Sequence, residues 1–316
     1  MENKHAFKVV HRSRLDQFLA QTWPELRRTQ VKQMIQEGAV LVDGQPALKS
    51  GQYVAAGSEV EVLSPPAEHA PAQTEQPIAL PHLPLAVVYE DDALIVVDKP
   101  AGVQIAPTKW EPVGVTLAQQ LAEYAPEMQH VGAVGRSGIV TRMESEVSGL
   151  VMAAKNEASY RALRRMIKRE GLTRVYSALV EGRLTDTYTI DQPIGNARHS
   201  RERMMVAREG RPAHTTYRGQ RHYRDDPREY SLLEVRPESS RRHQIRVHLS
   251  WYGFPLVGDR LYGSRHDQPL LPDRVFLHLS AMEFSHPQTG EAARVESPLP
   301  PELQAIIRYL TRPKSS

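Results

Sequence analysis

The sequence predicts an α+β protein in two domains, and three observations carry that expectation. A chain of 316 residues exceeds what one ordinary hydrophobic core organises. Residues 64–84, SPPAEHAPAQTEQPIALPHLP, hold six prolines and few core-forming side chains, the composition of an extended linker. The pattern also changes across that stretch, from helical spacing before it to many short apolar strands with few scattered helices after it. The expected layout is therefore a small module at 1–63 (two helices plus short strands), a linker at 64–84, and a domain at 85–316. The last is expected to stand on a large mixed, mainly antiparallel sheet flanked by helices.

In the first module, Leu15, Phe18 and Leu19 share one face at helical spacing. Pro24 interrupts the pattern. Thr29, followed by Val31, Met34 and Ile35, reads as a capped second helix, with Gly38 as the residue that ends it. Ala39–Val42, an Asp43-Gly44 hairpin signal and Glu59–Val62 supply the strands. Arg14, Arg27, Arg28 and Lys32 lie on the helices. The segments Arg14–Leu19, Arg27–Ile35, Gly38–Gly44 and Gly57–Val60 together resemble the S4 RNA-binding domain. That resemblance implies that the two helices, with these four basic residues, dock on structured RNA.

In the second domain, Leu85–Tyr89 and Ala93–Asp98 read as strands joined by the acidic turn Glu90-Asp91-Asp92. Thr116–Glu123 reads as a helix, with Leu117 and Leu121 on one side, and Glu157–Glu170 as a longer one. Val175–Val180, Tyr230–Val235 and Gln244–Leu249 are expected strands, and Pro301–Leu310 a terminal helix. The stretch Val134–Lys155 reads as a short strand at Gly138–Val140, a polar loop holding Arg142, Glu144 and Glu146, and a second strand. Loops held between rigid strands are where reactive side chains concentrate.

Composition narrows the function classes. At 40% hydrophobic and 24% charged residues the chain has a soluble, folded composition. No apolar run approaches the roughly 18 residues that span a bilayer, so no membrane partner is expected. The opening residues, MENKHAFKVVHRSR, lack the apolar core of a secretory signal. The absence of cysteine removes disulfides, thiolate metal sites and a cysteine nucleophile, and fits a reducing cytoplasm. The pI is near 9.0, and the basic residues are clustered. Arg161, Arg164, Arg165, Lys168, Arg169 and Arg174 face only Glu170, and two further groups follow at 198–211 and 236–246. Such patches are the footprint of a protein that tracks phosphates.

Arg241-Arg242-His243-Gln244-Ile245-Arg246-Val247-His248 draws attention next. As a strand it would place Arg242, Gln244, Arg246 and His248 on one side. An inward guanidinium needs an anionic partner, because its charge cannot be removed. The carboxylates of the polar loop, Glu144 and Glu146, are the candidates.

These motifs, with Val97–Gly102, Tyr176–Gly182, Gly258–Gly263 and Leu277–Ala281, resemble the RluA/RluD-type pseudouridine synthases from about Leu85 to Leu310. The resemblance implies cofactor-free isomerisation of uridine within RNA, ribosomal RNA above all, with the target base flipped out of its helix. By position, Glu144 would be the nucleophilic carboxylate, Tyr176 would stack on the base, and Arg246 would pair with the nucleophile. Arg142, Arg241, His243 and Gln244 would contact the RNA.

The chain departs from that family's pattern at the loop. Where the family reads His-Arg-Leu-Asp, two variable residues and Thr-Ser-Gly, this chain has Thr141-Arg142-Met143-Glu144, Ser145-Glu146 and Val147-Ser148-Gly149. Two readings follow: an enzyme reshaped around a longer acid, or an RNA-binding protein whose chemistry has lapsed. A metal hydrolase is disfavoured, since the 13 histidines include no His-Glu-x-x-His pattern. No metal or cofactor is expected, and the default oligomeric state is a monomer.

Overall fold

The computed structural model describes residues 5–22, 34–35, 38–47, 49, 51–62, 84–107, 115–197, 200, 202–263, 270 and 274–312. The chain divides into two compact units, Met1–Gln76 and Pro77–Ser316. The division falls inside the predicted linker, whose residues 64–83 lie outside the described ones.

The first unit has strands β1 (His5–Lys8) and β2 (Ser13–Arg14), helix α1 (Leu15–Thr22), and strands β3 (Val40–Val42), β4 (Gln45–Pro46), β5 (Tyr53–Val54) and β6 (Glu59–Val62). A four-stranded sheet runs β1-β6-β3-β4, and β2 pairs with β5. Alternation makes the sheet one-sided: Val60 and Val62 are buried while Glu59 is exposed. Leu15 and Leu19 of α1 close the core together with Val9, Val40 and Val54. The predicted second helix falls mostly outside the described residues. Met34 and Ile35 are described, helical and buried.

The second unit opens with β7 (Val87–Glu90) and β8 (Leu94–Lys99), followed by α2 (Leu117–Tyr124), β9 (Ser148–Ala154) and α3 (Glu157–Lys168). Then come β10 (Thr173–Glu181), β11 (Thr187–Asp191), β12 (Ile194–Asn196), β13 (Met204–Val206), β14 (His214–Asp225) and β15 (Arg228–Pro237). Helix α4 (Gln244–Trp251), β16 (Leu277–Ser285), β17 (Ala292–Glu296) and α5 (Pro301–Leu310) complete it. One nine-stranded sheet runs β11-β14-β15-β10-β16-β9-β8-β7, with β17 beside β16. All pairings in it are antiparallel except β9 with β16, as the mainly antiparallel expectation had it. Strand β9 is buried at every position, and β8 nearly so. Both faces of the sheet are therefore covered: Leu94, Val96 and Leu150 enter one apolar cluster, and Ile95, Val97 and Val151 enter another with α2. Thr116 caps α2 through its hydroxyl, and Asn156 caps α3 through its side-chain oxygen.

Two expectations need correcting. Gln244–Leu249 is not a strand but part of α4. All six of those residues are buried, so this stretch of the helix has no solvent face and no amphipathic period, and exposure begins only at its end, at Trp251. The apparent alternation arose because Gln244, Arg246 and His248 are polar residues with buried partners. Gly138–Val140 is also less than a strand, holding to β9 by the isolated bridge Ile139↔Ala153 and by flanking backbone hydrogen bonds.

Gly149 pins the parallel contact. Its φ is +116°, and a Cβ there would lie 2.4 Å from the Leu279 carbonyl oxygen and 2.6 Å from the Leu279 nitrogen. Both are backbone atoms of a central strand and cannot swing aside. Gly149→Ala is expected to cost more than about 2 kcal/mol of stability, read as a fall in urea midpoint at unchanged m-value. An unchanged midpoint would show that the two strands can separate freely there.

Candidate active site

A cleft of about 620 Å³ opens where the 142–147 loop, the start of β10, the end of β15 and the start of α4 meet. Its lining includes Arg142, Glu144, Glu146, Tyr176, His243 and Arg246, which bring together most of the residues singled out in the second domain.

Arg246 is the centre. It is 2% exposed, and its fork is fully engaged. Nε and Nη2 donate to the two oxygens of Asp259 at 2.8 and 2.7 Å. Nη1 donates to Glu144 Oε2 at 2.5 Å and lies 2.8 Å from Glu146 Oε2. Burial works against the charge, but the Asp259 hydrogen bonds and the charge of Glu144 outweigh it and hold the guanidinium above its ordinary value. One cation thus faces three carboxylates. Asp259 was missed as a site residue by sequence reasoning. Its signal was present in Gly258-Asp259-Arg260-Leu261-Tyr262-Gly263, whose acid is the one charged group able to satisfy a fork from a turn beside α4.

Tyr176 lines the same cleft and is 9% exposed. Burial raises its phenol above the ordinary value, with Arg174 opposing and Glu144 adding, so it stays protonated at neutral pH. The register of β10 against β16 shifts between Val175 and Tyr176. Such irregularities re-aim side chains beside working sites.

The loop is fastened from beneath. Lys99, fully buried, donates to the carbonyls of Pro100 (2.8 Å), Val103 (2.9 Å) and Ser145 (3.2 Å). The Ser145 carbonyl also accepts from Gly102 N–H at 2.7 Å. The Lys-Pro-Ala-Gly turn therefore clamps the peptide between the two glutamates. Burial, then Arg274, pull the Lys99 amine down to about 7, while Asp98 opposes them. Its folded value lies below the unfolded one, so the unfolded chain holds the extra proton between them and stability rises with pH across that window, from about 7 to 10.5. In Lys99→Met that rise is expected to disappear, as read by urea unfolding at pH 7 and pH 9.5. An identical rise in the variant would assign it to another group.

The basic candidates separate. Arg142 is exposed at the cleft edge. Arg241 lines the cleft, and its Nε donates to the Pro212 carbonyl at 2.9 Å. Burial and the neighbouring Arg211 lower its pKa, against Glu170. Gln244 is internal, its amide committed to Ser239, Arg241 N–H, the His214 carbonyl and Thr215. His243 is also internal, at 8% exposure, forming one wall of the cleft. In the first unit, Arg14 ends strand β2 rather than lying on helix α1, and it pairs with Asp16 at 2.9 Å. Arg27, Arg28 and Lys32 lie outside the described residues. Among the described residues there is no group of three or more histidines and carboxylates placed to hold a metal, and no helix is long and apolar enough to cross a membrane.

Comparison with known proteins meets this geometry. The family described as RNA pseudouridylate synthase matches residues 93–251, and the S4 domain matches residues 13–60. An uncharacterized RNA pseudouridine synthase of Chloroflexus aurantiacus is 40% identical over 94% of this chain and 90% of its own length. The ribosomal large subunit pseudouridine synthase D of Vibrio parahaemolyticus is 34% identical over 95% of this chain and 91% of its own length. Among solved structures, human RNA pseudouridylate synthase domain containing 1 superposes with a TM-score of 0.57 at 28% identity, covering 70% of this chain and 87% of that one. A carboxylate held on a buried arginine beside a cleft tyrosine, behind an S4 domain and over nearly the full length of such relatives, places this chain in the RNA pseudouridylate synthase family.

Proposed function

We propose that this protein converts uridine to pseudouridine in structured ribosomal RNA, with Glu144 as the nucleophile. One observation carries the assignment: Glu144, although one carbon longer than the family's acid, keeps the Arg246 partnership at 2.5 Å and stands in the cleft that Tyr176 lines. The pairing keeps a carboxylate on the cleft wall where the family's acid is expected to act. The target nucleotide leaves its helix at a cost of a few kcal/mol and its uracil stacks on Tyr176. Glu144 attacks the ribose, the N1–C1′ bond breaks, the uracil turns, C5 bonds to C1′, the carboxylate is released, and the C5 proton is exchanged for one on N1. The S4 domain and relatives named for the large ribosomal subunit support this substrate class. Acid, arginine and tyrosine all come from one chain, which supports a monomer acting in the cytoplasm, where such RNA is found.

Incubating purified protein with ribosomal RNA and mapping pseudouridine chemically tests the assignment. New pseudouridine is the expected result. Tight binding without product would leave only the RNA-binding reading.

Helix α3 supplies the route by which flanking RNA is held. Arg164, Arg165 and Lys168 are exposed, and no ion pair engages them among the described residues, whereas Arg161 pairs with Glu157. Arg164 and Lys168 sit one turn apart as like charges, an arrangement that slightly destabilises a helix. Changing all three to Gln is expected to lower the slope of log affinity against log salt by about 2 while leaving the melting temperature level or higher. An unchanged slope would make this an ordinary solvated face.

A further inference from the structure

His243 and Tyr262 stand beside Glu144, and their hydrogen bonds fix a proton. Tyr262 oxygen accepts the Met204 N–H at 2.7 Å and lies 2.7 Å from His243 Nδ1. The phenol proton thus has one partner among its described contacts, the imidazole nitrogen. Tyr262 donates to Nδ1, and a neutral imidazole must then carry its single proton on Nε2. That nitrogen lies 3.8 Å from Glu144 Oε2, the same oxygen that Arg246 Nη1 holds. Neither contact uses Oε1. Catalytic hydrogen bonds are commonly long before substrate enters, and a closure of about 1 Å would complete this one.

We propose that Tyr262 and His243 form a positioning pair for Glu144, presenting an Nε2–H that, with Arg246, anchors Oε2 and leaves Oε1 as the attacking oxygen. This rests on Glu144 being the nucleophile. His243 and Tyr262 are positioning residues here, since neither touches the reacting atoms.

The surroundings keep the imidazole neutral. From α4 and the residue before His243 come Arg246 and Arg242. The loop contributes Glu144 and Glu146, and the 258–263 turn contributes Asp259 and Tyr262, with Arg203 over the Tyr262 ring. Burial, then the two arginines, press His243 down to about 4, against the pull of Asp259 and Glu146. The ring is therefore neutral from about pH 5 upward. It holds the carboxylate by a dipole and never competes with Arg246 as a second cation. A neutral donor also lets the carboxylate depart toward the sugar more readily than a charged one.

The test reads the proton directly. Imidazole ¹⁵N shifts of the full-length protein at pH 7 are expected to show His243 as the Nε2–H tautomer. In Tyr262→Phe the signal is expected to move toward a mixture of tautomers. Single-turnover rates at saturating RNA should fall about 10-fold or more in Tyr262→Phe and in His243→Phe. His243→Gln, which can place an amide N–H near the Nε2 position, should recover much of the loss. An Nδ1–H tautomer in the wild type, or full turnover in His243→Phe, would overturn the proposal. Absence of pseudouridine in the wild type together with an Nε2–H ring would instead overturn the proposed function, leaving the proton arrangement in place.

Discussion

Glu144→Gln is expected to lower pseudouridine formation by at least about 10⁴-fold, or more than 5 kcal/mol of barrier. The amide is close in size and can still accept from Arg246, but it has no anionic oxygen with which to attack a sugar carbon. Folding should be nearly untouched. Arg246 would keep both bonds to Asp259 and its contact with Glu146, so the melting temperature should stay within about 2 °C. That combination, normal folding with lost turnover, separates a nucleophile from a structural anion. Residual activity within 10-fold of wild type would shift the attack to Glu146, whose oxygen stands 2.8 Å from the same guanidinium nitrogen. Glu144→Asp sharpens the point. Shortening the side chain withdraws the carboxylate by about 1 Å from a partner now at 2.5 Å, and a displacement of that size costs roughly 10²-fold. A gain in rate would mean the cleft is still shaped for the shorter acid.

Arg246→Ala is expected to damage both folding and chemistry. Removing the guanidinium leaves Asp259, whose side chain is 0% exposed, without its two charge-assisted bonds, and leaves Glu144 and Glu146 facing each other with no cation between them. Breaking a buried pair from one side costs about 3–5 kcal/mol, equivalent to about 10 °C for a unit of this size. Arg246→Lys should recover part of the stability by restoring the charge. It should recover little turnover, because an ammonium cannot span Asp259 and Glu144 in the planar fork that holds both. A normal melting temperature in Arg246→Ala would show that the carboxylates disperse into solvent and that the cluster carries little of the fold.

The two-domain plan, the mainly antiparallel sheet and helices α2, α3 and α5 were legible because their cues are local. Leu117 and Leu121 sit a turn apart, Glu157–Glu170 reads as one unbroken helical run, and strands such as Leu94–Lys99 are apolar runs between turn residues. The loop with Glu144 stood out because acids lay between two apolar segments, and its pairing with Arg246 because an inward arginine demands an anion. What escaped was non-local. Helix α4 was read as a strand, since Arg246 and His248 are buried only by virtue of Asp259, Thr215 and the Gln192 carbonyl, all distant in sequence. Lys99 looked like part of a turn because its role lies in the carbonyl of Ser145, 46 residues on. The Tyr262–His243 contact spans 19 residues and had no spacing signature.

Three acids around a single guanidinium leave that cluster with an excess of negative charge, while Arg142, Arg174, Arg241, Arg242 and Arg260 also line the cleft. If the cleft takes uridine as proposed, this division of charge would sort a nucleotide by its parts. Phosphodiesters are expected beside the arginines and away from the acids, so an uncharged nucleobase with its sugar is the portion expected to reach Glu144. A free nucleotide bearing a terminal phosphate would then be a poor guest compared with the same uridine flanked by chain on both sides.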